Sequence, residues 1–166
     1  ADRYELGMLA VAKGVGLLLN LATLALVIQI ARLDRPSEER GSVPMAALYL
    51  ALSAPFLLWG VGGLETPLVT LLLTAALYFQ WRKTSGRFPY APCALLLAAL
   101  TRPEPVVLVF VLAGADLFQR QKLGHRVFAG LVPWLLGFAL PYALFIAGRW
   151  LYYGALLPNT YYAKVY

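Results

Sequence analysis

The feature that most constrains this chain is an apolar run long enough to cross a lipid bilayer. Residues 6–31 are almost all apolar, and about 20 such residues in a helix span a hydrocarbon layer about 30 Å thick. The chain is 61% hydrophobic and 13% charged, whereas a soluble domain is about 25% charged. Further apolar runs follow at 43–59, 67–81, 90–101, 105–118 and 127–148. The sequence therefore predicts an all-α, polytopic bundle of transmembrane helices.

Two of the runs, 90–101 and 105–118, are too short to cross a bilayer comfortably. Between them stand Arg102, Pro103, Glu104 and Pro105. Prolines and charges cannot face hydrocarbon, so this segment predicts a short or re-entrant helical hairpin whose tip lines protein or water. Pro55 is expected to kink the second run rather than end it.

Basic residues indicate how the bundle is oriented. The loops at 32–42, 82–89 and 119–126 carry three Lys or Arg each. Segments 60–66 and 101–105, which alternate with these loops, carry none and one, and the segment 149–166 carries two. The positive-inside rule places the basic loops in the cytoplasm. The net charge of +6 is thus explained by topology, and no nucleic-acid partner is expected.

The residues most able to hold a metal are few. Cys93 is the only cysteine and lies in an apolar run, where it is expected to act as a small buried hydrophobe. His125, the only histidine, lies in a basic loop. No cluster of ligands argues for a cation, so a metal site is not predicted and metal dependence stays open.

Three polar segments are predicted to share the non-cytoplasmic face. They are 62–67, which contains Glu65; 101–104, which contains Arg102 and Glu104; and 152–164, which ends in an Asn, Lys and Tyr cluster. Arg and Lys side chains bind phosphate, carboxylates orient or deprotonate hydroxyls, and tyrosines stack on sugar rings. Together these groups suit a polar substrate that carries a phosphate.

Each segment also has a structural interpretation. Glu65 is suited to the start of a helix whose first turn contains Pro67. Arg102 and Glu104 could form a structural ion pair, and the tyrosines could anchor the chain at the membrane interface. Three independent structural features would be expected to scatter over both faces, and this favours the functional interpretation.

The three segments resemble motifs of a known family. The segments GLETPL at 63–68, LTRPE at 100–104 and YG-x-x-LPNTYYAK at 153–164 resemble bacterial membrane glycosyltransferases of the GT-C superfamily. The nearest type is the terminal arabinofuranosyltransferase-like group. The resemblance covers nearly all of residues 1–166 and implies that they are an internal part of a transmembrane GT-C domain.

The resemblance implies an inverting transferase in the bacterial plasma membrane, with its active face outside the cytoplasm. Such an enzyme moves a sugar, with a pentose such as arabinofuranose as one option, from a polyprenyl-phosphate donor to a glycan or lipid acceptor. Its main catalytic base is expected in a loop upstream of Ala1, which leaves Glu65 an auxiliary catalytic role. The substrate-binding residues are then expected to be Arg102, Glu104, Tyr153, Asn159, Tyr161, Tyr162 and Lys164.

Two rival functions stay open at this point. A transporter or flippase of a lipid-linked or polar substrate also uses broken helices and charged residues within the membrane. No internal repeat is visible, and the charges fall at hairpin ends rather than at their middles, which favours the transferase. The third possibility is a structural subunit in which the polar tips serve assembly.

Overall fold

The fold was examined in a computed structural model that describes residues 3–33, 43–62, 65–82, 89–124 and 126–154. All the regular structure in these residues is helical, as predicted. The helices are α1 (Arg3–Leu33), α2 (Met45–Leu52), α3 (Ala54–Val61), α4 (Thr66–Trp81), α5 (Tyr90–Thr101), α6 (Val106–Lys122), α7 (Val127–Trp134) and α8 (Leu140–Tyr153). A π-helical segment, Leu135–Ala139, joins α7 to α8 without a break.

Two of these helices are long and apolar enough to cross a membrane. They are Gly7–Leu33 and the continuous helix Val127–Tyr153, each of 27 residues. Helices α4 and α5 are apolar but shorter, with 16 and 12 residues. The predicted all-α class is therefore confirmed, and two of the predicted spans are helices long enough to cross a membrane.

The core lies around α5, which packs against α4 on one side and against the π-helical segment on the other. Small residues make this close packing possible, since Ala91, Ala94, Ala98 and Ala99 are all buried on this one helix. Leu95 is fully buried among them. Beyond α5, the same cluster includes Ala76, Val109, Trp134 and Phe138, which come from α4, α6, α7 and the π-helical segment.

Helix α1 packs along α3 and α4 through a close backbone contact. A Cβ atom on Gly16 would collide with the backbone oxygen of Gly60, so the helices approach as closely as glycine allows. Beside this contact the Asn20 Nδ2 donates a hydrogen bond of 2.9 Å to the carbonyl oxygen of Phe56. Gly7 and Gly14 have open space around them, so Gly16 is the one of these three glycines at a close helix contact.

The second apolar run differs from its prediction at Pro55. The helix ends at Leu52, Ser53 is extended, and a new helix begins at Ala54. Pro55 then lies in the first turn of α3, where its missing N–H leaves no intrahelical bond unmade. The expectation that Pro55 kinks a continuous helix is therefore wrong, because beginning a new helix satisfies the backbone better.

The end of the last helix also differs from its prediction. The predicted span stops at 148, but α8 continues to Tyr153 and is capped by Gly154 in the left-handed conformation, with φ 65°. Glycine adopts this conformation without a Cβ penalty, and the Gly154 N–H donates to the Trp150 carbonyl oxygen at 2.8 Å. The helix therefore carries Arg149, Tyr152 and Tyr153 in its last turns.

Candidate functional site

The centre of the site is an ion pair that joins two of the predicted polar segments. The Arg102 Nε and Nη2 atoms both donate to the Oε1 atom of Glu65, at 3.0 and 2.8 Å. Glu65 immediately precedes α4 and Arg102 immediately follows α5, so the pair lies where the antiparallel helices α4 and α5 meet at one end. Residues 37 positions apart in the sequence are thus brought together at the tip of the bundle.

The local sequence explains why each side chain stands where it does. Pro67 favours a helix start, and the Val69 N–H donates to the Glu65 carbonyl oxygen at 3.1 Å, which makes Glu65 the first residue to accept a helical bond. At the other helix end, Arg102 is extended (φ −142°, ψ 144°) because Pro103 disfavours a helical conformation in the residue before it. The predicted break after Thr101 is confirmed.

The electrostatics of the pair keep Glu65 ionised. A hydrogen bond from its own backbone, and then the hydrogen bond and positive charge of Arg102, hold the pKa of the Glu65 carboxyl below its ordinary value. The two side chains are 48% and 39% exposed, so the pair remains open to a ligand. Among the described residues, the other guanidinium N–H groups of Arg102 make no hydrogen bond, which leaves them able to bind an anion.

Glu104 lies beside the pair without joining it. It is exposed in the turn that begins α6, where its carbonyl oxygen accepts from the Val107 N–H at 3.2 Å. Arg102 pairs with Glu65 rather than with Glu104, so the structural ion pair considered from the sequence is not the one that forms. The carboxylate of Glu104 makes no ion pair within the described ranges.

A cavity of about 250 Å³ begins at the residue that follows Glu65. Its polar lining comes from Asn20, Ser53, Thr66 and Thr70, and Trp59 forms part of its apolar wall. The sequence argument missed Asn20, although a buried carboxamide in an apolar run is itself a signal. This cavity is a mostly apolar, open space beside the ion pair, with a few polar groups in its lining, between α1, α2, α3 and α4.

Tyr153, the fourth predicted residue that the structure describes, lies on a separate groove. The groove has a volume of about 670 Å³ and runs along the last turns of α8, where Arg149, Tyr152 and Tyr153 line it. The rings of Tyr152 and Tyr153 meet edge to face with centroids 4.6 Å apart. Arg149 is a second cation near a predicted binding residue that the sequence argument left unassigned.

The other predicted binding residues, Asn159, Tyr161, Tyr162 and Lys164, lie outside the described residues, as does His125. Cys93 is half-buried within α5, which is less than its predicted burial. Over the described ranges, no group of three or more His, Cys, Asp or Glu residues could hold a metal ion.

Asp116, in the second half of α6, is held by hydrogen bonds within the fold. It accepts from Arg120 Nε at 3.1 Å and from the indole Nε1 of the buried Trp134 at 3.5 Å, both on its Oδ2 atom. Its side chain is 21% exposed. Asp116 therefore ties α6 to α7 in the interior.

Comparison of the sequence with models of protein families found no match, and comparisons with curated proteins and with solved structures found none either. The function must accordingly be argued from the site itself and from the motifs.

Proposed function

We propose that this chain is part of a multi-pass membrane glycosyltransferase of the GT-C type. In this proposal it transfers a sugar from a polyprenyl-phosphate donor to a glycan or lipid acceptor on the non-cytoplasmic side of a bacterial plasma membrane. The observation that carries the proposal is the Glu65–Arg102 ion pair. It unites two of the three motifs on which the family resemblance rests.

The surface of the long helices supports a membrane environment. Only 17% of the most apolar window of Gly7–Leu33 and 22% of that of Val127–Tyr153 are buried within the chain, whereas the core helix of a soluble protein is mostly buried. Large apolar side chains face outwards along both, with Val11 67% exposed, Leu18 66% and Phe128 85%. Lipid is the environment that covers such surfaces without cost.

The length of α4 supports a recessed position for the ion pair in this proposal. Its 16 residues span about 24 Å, which is about 6 Å less than a hydrocarbon layer. Thr66 and Asn20 line the same cavity, so the start of α4 lies at the depth of Asn20. Residues 3–19 of α1 therefore extend beyond the start of α4. With the opposite ends of the helices at the cytoplasmic interface, Glu65 and Arg102 lie in a recess open to the other side.

A recessed ion pair suits a lipid-linked donor. Charges at membrane depth are costly, and those that persist usually mark a substrate path. The free N–H groups of Arg102 would bind the donor phosphate, and Glu65 would hold Arg102 in place and orient an acceptor hydroxyl. Glu104 and Tyr153 would contact sugar or acceptor, together with Asn159, Tyr161, Tyr162 and Lys164 as the resemblance implies.

The decisive experiment is a transfer assay on the full-length protein with a radiolabelled polyprenyl-phosphate pentose or hexose. Arg102→Ala is expected to lower kcat/KM by about a hundredfold, since it removes charge-assisted hydrogen bonds to phosphate. Glu65→Gln is expected to lower it less, because Gln can still accept one hydrogen bond from Arg102. Gln121→Leu, on the exposed surface of α6, is the matched control and should leave transfer unchanged.

A transport assay on the same protein in proteoliposomes distinguishes the transferase from the rival function. A flippase or transporter would move the lipid-linked substrate across the bilayer without forming a new glycosidic bond. If the full-length protein translocates the donor but forms no glycosylated product, the glycosyltransferase proposal is wrong. Transfer at the wild-type rate by both Glu65→Gln and Arg102→Ala would remove the assigned roles of the pair.

A further inference from the structure

A polar cavity lies at the end of the bundle opposite the ion pair. It has a volume of about 480 Å³ and opens between the last turns of α4 and the second half of α6. Its polar lining comes from Gln80, Asp116 and Gln119, with Trp81 beside them. A pocket lined by a carboxylate and two carboxamides has no function in the transferase mechanism.

The carboxylate of Asp116 is only half used by the protein. Both of its protein donors, Arg120 Nε and Trp134 Nε1, bond to Oδ2, and Oδ1 receives no hydrogen bond from the described residues. Oδ1 is not enclosed by the described residues and stays accessible from the cavity. Since Asp116 lines the cavity, a ligand with N–H donors would supply the bonds that Oδ1 lacks.

Two exposed cations lie next to lining residues of this cavity along the chain. Arg82 follows Trp81, and its Nη1 donates to the Tyr78 hydroxyl at 2.7 Å, while its other guanidinium N–H groups make no hydrogen bond among the described residues. Lys122 lies one turn beyond Gln119. Trp81 is 55% exposed, as expected of an indole at a membrane interface. The positive-inside rule places this end in the cytoplasmic leaflet. The unbonded Oδ1 of Asp116 inside the cavity and the two nearby cations complement a ligand with an N–H donor at a cationic end and with an anionic end.

We propose that this cavity binds the headgroup of an aminophospholipid from the cytoplasmic leaflet. The primary ammonium group would donate to Asp116 Oδ1 and to the Gln80 and Gln119 carboxamides. The phosphate diester would lie at the rim against Arg82 and Lys122. A choline headgroup has no N–H to donate and a glycerol headgroup has no cation, so both should bind more weakly. This inference rests on the membrane placement of the proposed function but not on sugar transfer.

The test is native mass spectrometry of the purified full chain titrated with ethanolamine, choline and glycerol phospholipids of identical acyl chains. The wild type is expected to prefer the ethanolamine lipid over the choline lipid by about tenfold, the contribution of one charge-assisted hydrogen bond. Asp116→Asn is expected to reduce this ratio towards one. Gln121→Leu, on α6 but away from the cavity, should leave it unchanged, while Gln119→Leu should lower it.

A second variant keeps the test decisive if Asp116→Asn fails to fold. Arg82→Gln combined with Lys122→Gln is expected to weaken the binding of all three lipids alike and to keep the order of their affinities. A wild type that binds the three headgroups equally, or an Asp116→Asn protein that is folded and as selective as the wild type, overturns the inference. Headgroup selection without sugar transfer would disprove the proposed function alone, and sugar transfer without selection would disprove this inference alone.

Discussion

At the scale of single residues, the pairing of Glu65 with Arg102 is the contact on which the site depends. The two Arg102 nitrogens that bond Glu65 both meet its Oε1 atom, so Oε2 receives no hydrogen bond from Arg102. The carboxylate also stands directly before a helix N-terminus, where the backbone dipole favours negative charge. The same arrangement thus fixes the geometry of the pair and keeps its acid deprotonated.

The lowered pKa of Glu65 predicts an acid limb in the pH dependence of stability. A carboxyl group whose folded pKa lies below its unfolded value adds stability above the unfolded value near 4.5, and this is lost as the pH falls through the folded value. The midpoint of thermal unfolding in detergent should therefore differ between wild type and Glu65→Gln at pH 7. The difference should shrink below pH 4.5.

Glu104→Gln provides the comparison for that measurement, because Glu104 is exposed and makes no ion pair among the described residues. Its unfolding midpoint is expected to follow that of the wild type at neutral pH. A gap between wild type and Glu65→Gln that stays constant from pH 7 to pH 3 would contradict an ionised Glu65 in the folded protein.

At the scale of helices, single glycines allow two close helix contacts. Gly16 allows α1 to reach the backbone of α3 at Gly60, and Gly137 allows the π-helical segment to reach Pro89 and Pro92 at the start of α5. Both contacts lie beside polar or irregular backbone. Near Gly16 the Asn20 side chain bonds to a backbone oxygen, and at Gly137 the Leu140 N–H donates to the Leu135 carbonyl oxygen.

Gly16→Ala is expected to destabilise the fold by about 1–3 kcal/mol, because its methyl group would overlap the backbone of α3 and force the helices apart. Gly14→Ala is the matched control on the same helix. It has open space around it and should be neutral or stabilising by up to about 1 kcal/mol, since alanine favours a helix. Thermal or chemical unfolding in detergent measures both, and equal effects at the two positions would refute the close contact.

Gly137→Ala tests the second contact in the same way. An added Cβ would lie 2.9 Å from the Pro92 Cβ and 3.0 Å from the Pro89 Cβ, and proline rings cannot move aside as flexible side chains do. We expect a loss of about 1–3 kcal/mol, measured as a lower unfolding midpoint. Gly148→Ala, on α8 with open space around it, should show no loss.

At the scale of the whole molecule, the proposed topology predicts opposite accessibility of the two ends. Single cysteines are introduced at Glu104 and at Leu123 in a Cys93→Ala background and treated with a membrane-impermeant maleimide in intact and in lysed cells. Glu104→Cys should react in cells with a permeable outer layer, and Leu123→Cys, 64% exposed at the end of α6, only after lysis. Labelling of both cysteines from the same side would contradict the orientation.

The sequence alone determined the helical class, the break after Thr101 and the tips at which polar residues collect. These features depend on apolar run length, on proline and on the distribution of charge, all of which are local in the chain. The bounds 90–101 agree with α5 for this reason. At Pro55, by contrast, the chain could either kink one helix or begin a second one. The length of an apolar run does not predict which of the two packs better.

Only the tertiary structure decided which side chains bond to each other. Nothing in the sequence states that Arg102 bonds Glu65 rather than its near neighbour Glu104, because that choice follows from the antiparallel packing of α4 and α5. The same holds for Asp116, which becomes a half-buried acceptor because α7 brings Trp134 against it. Helix formation depends on neighbours in the chain, whereas these contacts depend on how helix faces pack. A single sequence therefore specifies its helices far more directly than the contacts between them.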